Sequence, residues 1–183
     1  MRKFVALPGL FLLFSGSASA QAYPKIETSA GYMYLRVNAG GAGGSADCHG
    51  GYGSVALNFN KWIGAVGDAS RCNVTGLPSG SSATSAFTYL FGPKVAYRWC
   101  RLTPYAQVLA GGVRGSGATF GSTSGATNAF AMSAGGGLDF RPFRRCSFAI
   151  RVLEVDYLLT RFNSSNQNNV QIKFGIVLRW GGQ

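Results

Sequence analysis

Hydrophobic residues recur at every second position over the last stretch of the chain. In Asn168–Gln183 (NNVQIKFGIVLRWGGQ), Val170, Ile172, Phe174, Ile176, Leu178 and Trp180 alternate with Gln171, Lys173, Gly175, Val177 and Arg179. A period of two puts the first set on one face of a β-strand and the second on the other. The apolar face is unbroken and ends in an aromatic, while the opposite face carries Lys and Arg. That division suits a strand with lipid outside and a polar lumen inside.

The same alternation predicts seven earlier strands. The first covers Glu27–Val37, with Tyr32, Tyr34 and Arg36 on one side and Gly31, Met33 and Leu35 on the other, and the pattern leaves open which side faces lipid. The second, Gly51–Asn60, turns Gly53, Val55, Leu57 and Phe59 outward and Tyr52, Ser54, Asn58 and Asn60 inward. The third, Trp62–Arg71, has Asp68 inward. The fourth, Ser85–Trp99, sets Phe87, Tyr89, Phe91, Val95, Tyr97 and Trp99 against Lys94 and Arg98. Leu102–Arg114 forms the fifth, with Pro104 near its start, where a missing ladder donor costs least. The sixth, Asn128–Arg141, opposes Phe130, Met132, Ala134, Leu138 and Phe140 to Ser133 and Asp139. The seventh, Ser147–Thr160, opposes Leu153, Val155, Tyr157 and Leu159 to Glu154 and Asp156.

Connections at one end of these strands are short, whereas those at the other are Gly- and Ser-rich loops, the asymmetry of transmembrane barrels. Eight strands near the ~9–11 residues that a tilted crossing needs account for almost all of the chain after its start. The expectation is all-β: an eight-stranded antiparallel up-and-down transmembrane barrel, a single domain over 21–183. The first twenty residues differ in kind. Arg2 and Lys3 precede an apolar run from Phe4 to Phe14, and Ala18-x-Ala20 follows. This reads as a secretory signal peptide over 1–20, cut before Gln21, because the run is too short for a membrane anchor.

Composition alone leaves a soluble sandwich and a membrane barrel both open; the export signal and the closing strand favour the barrel. The net charge of +11, or +9 without Arg2 and Lys3, attracts anions. An exported chain without a nucleic-acid motif turns that attraction toward outer-membrane lipid head groups, lipopolysaccharide phosphates or peptidoglycan carboxylates, and away from nucleic acid.

Lys173, Gly175, Leu178 and Trp180 resemble the closing-strand signal of bacterial outer-membrane barrels, although Gly181, Gly182 and Gln183 follow the aromatic. That signal implies handling by the barrel assembly machinery. The chain also resembles the small OmpA-like eight-stranded barrels. More closely it is similar to short barrel proteins of acidobacteria, through GYMYLR from Gly31, NKWIG from Asn60, FGPKVAYR from Phe91, LTPYA from Leu102, GGGLD from Gly135, IRVLEVDYLLTRF from Ile150 and the final strand. The resemblance implies fold and an outer-membrane location, with no activity to carry over.

Four cysteines in an exported chain allow three disulfide connectivities. Cys48 and Cys72 fall at the outer ends of the second and third strands, and Cys100 and Cys146 in turns at the inner end. Pairs across the ~30 Å apolar layer are out of reach, so Cys48 pairs with Cys72 and Cys100 with Cys146.

Asp68, Lys94, Arg98, Asp139, Glu154, Asp156, Lys173 and Arg179 point to the predicted lumen, with Asp156 and Lys173 at nearly matched height on neighbouring strands. They form either a structural ion-pair network or a narrow path for ions and small solutes. Lys61, Arg101, Arg141, Arg144 and Arg145 make a basic rim at the short-turn end, either simply solvated or holding lipid phosphates or peptidoglycan. A lipid A-modifying enzyme would need a base. The sole histidine, His49, lies with Ser45 and Asp47 in a glycine-rich loop without a rigid support, so no catalytic residue is assigned. GGAGG near Gly40 lacks the Lys-Ser/Thr of a phosphate loop. No metal ligand set and no cofactor is implied. The reading is a non-catalytic barrel of structural or surface-interaction role.

Overall fold

The computed structural model describes residues 23–38, 45–75, 85–116, 126–142, 147–162 and 165–181. Its strands are β1 (Ile26–Asn38), β2 (Ser45–Asn58), β3 (Ile63–Thr75), β4 (Ser85–Ala96), β5 (Leu102–Ser116), β6 (Ala126–Phe140), β7 (Phe148–Phe162) and β8 (Ser165–Trp180). Each pairs antiparallel with its sequence neighbours, and β8 pairs back onto β1 from Ile26↔Trp180 to Arg36↔Val170. The sheet is a closed eight-stranded barrel with no free edge.

Alternation sets which residues face out. Phe91, Val95, Phe174 and Ile176 are each about half exposed, whereas Lys94, Lys173 and Val177 on the intervening positions are buried. In a soluble protein so continuous an apolar exterior would be an aggregation surface; around a closed barrel it is a lipid-facing belt. Trp62, Tyr97, Trp99 and Trp180 mark its inner margin. The facing of β1 is settled here: Glu27, Ser29, Met33 and Leu35 point inward, and Ile26 and Tyr32 outward.

Several strand ends differ from the hydrophobic pattern. At the outer end β2 begins at Ser45 rather than Gly51, and β3 runs on to Thr75 rather than Arg71. The loop expected over Arg161–Asn169 is mostly ladder, since β7 and β8 stay paired up to Phe162↔Ser165. These extensions stand clear of lipid, so their polar residues show no apolar alternation, while the backbone ladder that holds them is indifferent to side chains. At the inner end β4 stops at Ala96, and Trp99 makes only an isolated bridge to Leu102. Asn60, expected inward, sits instead in the exposed β2–β3 turn. Its Oδ1 accepts hydrogen bonds from the backbone N–H of Trp62 and Ile63, both at 2.7 Å.

Two local devices shape the interior. The pairings of β7 carry one surplus residue: Asp139↔Arg151 is followed by Leu138↔Leu153 on one side, and Arg151↔Gly175 by Glu154↔Lys173 on the other. Val152 is the extra residue of a β-bulge, and Val152 and Leu153 both face outward. The second device is the pair Gly31↔Gly175 at the β1–β8 seam. A Cβ on Gly175 would collide with the Ala30 carbonyl, and one on Gly31 with the Phe174 carbonyl, so any side chain there would push the closing strands apart.

The interior is zoned by height. Toward the outer end Met33, Leu35, Cys48, Cys72, Ala86, Leu90, Leu109, Val113, Ala131 and Leu158 form an apolar cluster, which continues inward along β2 and β3 beside the charges through Tyr52, Ala56 and Val66. Cys48 and Cys72 are joined by a disulfide across β2 and β3, with a Cα–Cα distance of 5.6 Å. Cys146 lies outside the described residues, as does Met1–Ala20, the stretch expected to be a signal peptide. Charged residues fill the middle and inner part of the barrel.

Candidate functional site

Nine ion contacts join ten side chains into one continuous chain through the lumen. Lys94 Nζ lies 3.1 Å and Arg98 Nη2 3.2 Å from the Glu27 carboxylate, which also meets Arg179 Nε at 3.2 Å. Arg179 Nη2 reaches Asp139 at 3.4 Å, and Arg151 links Asp139 at 3.0 Å to Glu154 at 2.6 Å. Lys173 Nζ completes the path, donating to Glu154 at 2.9 Å, Asp68 at 2.9 Å and Asp156 at 3.1 Å. Gln107 Nε2 donates to both Glu154 and Asp156, and the Tyr105 hydroxyl donates to Glu154. The Tyr105 ring also lies against Lys94 and Arg151, at 4.3 and 4.8 Å from its centroid.

Five cations face five carboxylates, so the network is electrically balanced. Its central members, Lys173, Glu154, Asp156 and Asp139, have 0% exposure. Charges this deep are tolerable only when paired and hydrogen-bonded. The backbone makes room for them: Gly135 lies opposite Asp156, and a Cβ there would strike the Asp156 carboxylate and the Val155 carbonyl.

All eight lumen charges named from the sequence lie in this network. Glu27 and Arg151, the other two members, were not foreseen. Glu27 was hidden because the facing of β1 could not be read, though its presence opposite Arg179 on the seam strand was a signal. Arg151 was hidden by the bulge at Val152, since strict alternation from Glu154 puts it on the lipid side. The signal was an arginine inside an otherwise apolar stripe, next to the adjacent apolar residues Val152 and Leu153.

The inner rim is basic in its described part. Lys61 and Arg101 are exposed, the Lys61 ammonium standing 5.4 Å over the Trp62 ring, while Arg144 and Arg145 lie outside the described residues. Arg141 is half-buried, and burial first, then the nearby Arg179 charge, push its pKa below the ordinary guanidinium value. A shallow groove beside it is lined by Trp99, Cys100, Arg101 and Leu102. The pairing of Cys100 with Cys146 remains an expectation.

His49 is on strand β2, not in a flexible loop. Its Nδ1 shares a hydrogen bond with the Tyr32 hydroxyl, and Asp47 Oδ1 accepts one from Tyr34 at 2.7 Å. Base and acid are each hydrogen-bonded to a tyrosine of β1.

No protein-family model and no curated protein sequence matches the chain. Solved structures do. Neisserial surface protein A (NspA) matches with a TM-score of 0.65 at 12% identity, over 85% of this chain and 97% of that one. Ail, the attachment invasion locus protein of Yersinia pestis, matches at 0.58 and 18%, over 85% and 99%. The outer membrane protein OprG of Pseudomonas aeruginosa matches at 0.56 and 9%, over 88% and 98%. The shared fold is that of bacterial outer-membrane barrels, and with the lipid-facing belt it makes this chain a membrane-spanning barrel of the outer-membrane type.

Proposed function

We propose that this protein is a non-catalytic outer-membrane barrel whose lumen is sealed, so that its role is structural and exercised through its surfaces. The observation that carries the reading is the balanced ion network with its fully buried centre. An ion crossing the lumen would have to separate contacts of about 3 Å and then pass the apolar cluster at the outer end. The charges therefore serve as a plug that fixes the barrel's shape, in place of the conducting path that the same residues could have formed.

Three further elements belong to this proposal. Lipids surround the belt, and the strand carrying Lys173, Gly175, Leu178 and Trp180 is the segment through which the assembly machinery would take the chain. The inner rim of Lys61, Arg101, Arg141, Arg144 and Arg145 is a cationic collar for lipid phosphates or peptidoglycan carboxylates. A nearer kinship with the short acidobacterial barrels rests on the sequence motifs given above.

Solute release from liposomes tests the reading. Vesicles holding the folded barrel should retain small ions and sugars as well as protein-free vesicles do, and release proportional to protein content would overturn the sealed lumen. Absence of catalysis is checked by mass spectrometry of lipid A from expressing cells. A modified species that disappears in His49→Ala would contradict it.

A further inference from the structure

Five of the six carboxylates in the chain are spent inside the lumen, and the sixth, Asp47, is hydrogen-bonded by Tyr34. The exterior is left with cations, and two of them are placed together. Cross-strand register puts Arg71 of β3 opposite Phe87 of β4, and Phe87 opposite Arg114 of β5. All three are exposed on the outward face. Adjacent strands lie ~4.8 Å apart, which separates the two arginine backbones by about 10 Å with one aromatic ring between them. Neither arginine has an ion-pair or hydrogen-bond partner among the described residues. The next position in the row, Asn128 of β6, is also exposed and opposes Arg114.

Height and relief give this row a ligand class. Along β4 the outward positions run from Tyr97 to Phe87, a climb of about 25 Å at ~40° tilt, which is the height of an outer-membrane apolar band. Phe87 and its flanking arginines therefore sit where acyl chains end and head groups begin, in the outer leaflet. Below them Tyr89 and Phe91 of β4 lean over the glycines beside them, the Tyr89 ring across Gly112 of β5 and the Phe91 ring across Gly67 of β3. On either side β3 offers Ala65, Gly67 and Ala69, and β5 offers Ala106, Val108 and Ala110. Each arginine thus stands above a strand of small side chains onto which one aromatic ring of β4 leans.

We propose that the outward face of β3–β5 binds a lipid whose sugar head group carries two phosphates, of the lipopolysaccharide kind. Arg71 and Arg114 each take one phosphate, Phe87 packs beneath the sugars, and acyl chains lie along the flanks beside Tyr89 and Phe91. Two guanidiniums held apart by an aromatic ring can each take a phosphate of a bis-phosphorylated head group, whereas a single phosphodiester engages both only if the two side chains fold together over Phe87.

The test uses the folded full barrel in detergent micelles, titrated with lipopolysaccharide, with the same lipopolysaccharide after enzymatic dephosphorylation, and with phosphatidylglycerol. Arg71→Ser and Arg114→Ser should each weaken lipopolysaccharide binding about fivefold, and together roughly twenty-five-fold, as expected for surface cations facing anionic lipid. Lys25→Ser at the inner end, just before β1, a change of the same charge at a residue that belongs to neither the row nor the basic rim, should leave it unaltered. The proposal is overturned if the double variant binds as tightly as the wild type. It is equally overturned if Lys25→Ser loses as much, or if dephosphorylated lipopolysaccharide or phosphatidylglycerol binds as well. The inference rests on the membrane-spanning reading. Heat-modifiable migration in SDS, run on every variant, shows whether a failure belongs to that reading or to the lipid site.

Discussion

Replacing Lys173 with Met should be among the most damaging single substitutions in the lumen. The ammonium touches Asp68, Glu154 and Asp156 at 2.9, 2.9 and 3.1 Å, and it is fully buried. At an effective dielectric of ~20 each contact is worth about 5 kcal/mol of Coulomb attraction. Most of that is offset by the desolvation of the lysine, which methionine does not incur. What remains is the cost of three carboxylates left facing one another. Glu154 keeps Arg151, Gln107 and Tyr105, and Asp156 keeps Gln107, but among the described residues no other hydrogen bond or ion pair holds Asp68. Breaking such a buried set costs about 3–5 kcal/mol. Adding Asp68→Asn restores the charge balance, so the double variant should recover at least ~2 kcal/mol of that loss. Urea unfolding in lipid vesicles, followed by the mobility of folded and unfolded bands, measures both values. A loss below ~1 kcal/mol for Lys173→Met, or additive behaviour of the pair, would refute the claim that the network acts as one unit.

Two other outcomes follow from the fold. Replacing Cys48 and Cys72 together with serine reopens a closure of sequence separation 24 and should lower stability by about 3 kcal/mol; the same loss should appear on reduction of the wild type and be absent on reduction of the variant. Deleting Val152 removes the bulge and forces either Arg151 or Glu154 with Asp156 onto lipid, at roughly 2–4 kcal/mol for an arginine near the midplane. The folded, heat-modifiable band should be lost, and an unchanged band would mean that the bulge is not needed to hold Arg151 inside.

The architecture was legible because lipid imposes a strict rule. Wherever a strand crosses the belt, outward positions must be apolar, and the period-two signal of Phe87–Trp99 or Val170–Trp180 is strong enough to fix facing. Where lipid ends the rule lapses, which is why the outer extensions of β2, β3, β7 and β8 went unread. The interior obeys no such rule, since a lumen position accepts Lys173 or Val177 alike. The ion chain was partly visible from charges opposite apolar stripes, yet Glu27 needed a facing that β1 does not announce, and Arg151 needed a bulge that only the ladder reveals. The apolar cluster of Met33, Leu90, Leu109 and Leu158 was overlooked because apolar residues on the polar side look like noise in an alternating pattern. The Arg71–Phe87–Arg114 row depends on register between strands, which no single strand encodes.

The sealed lumen is tested most directly by single-channel conductance of the folded, disulfide-intact barrel in a planar lipid bilayer. The account predicts a silent barrel across moderate voltages, with heat-modifiable migration of the same preparation showing that the protein is folded. Discrete openings whose ion selectivity changes on neutralising Lys94 or Glu154 would contradict it, and would make the same ten side chains the lining of a conducting path.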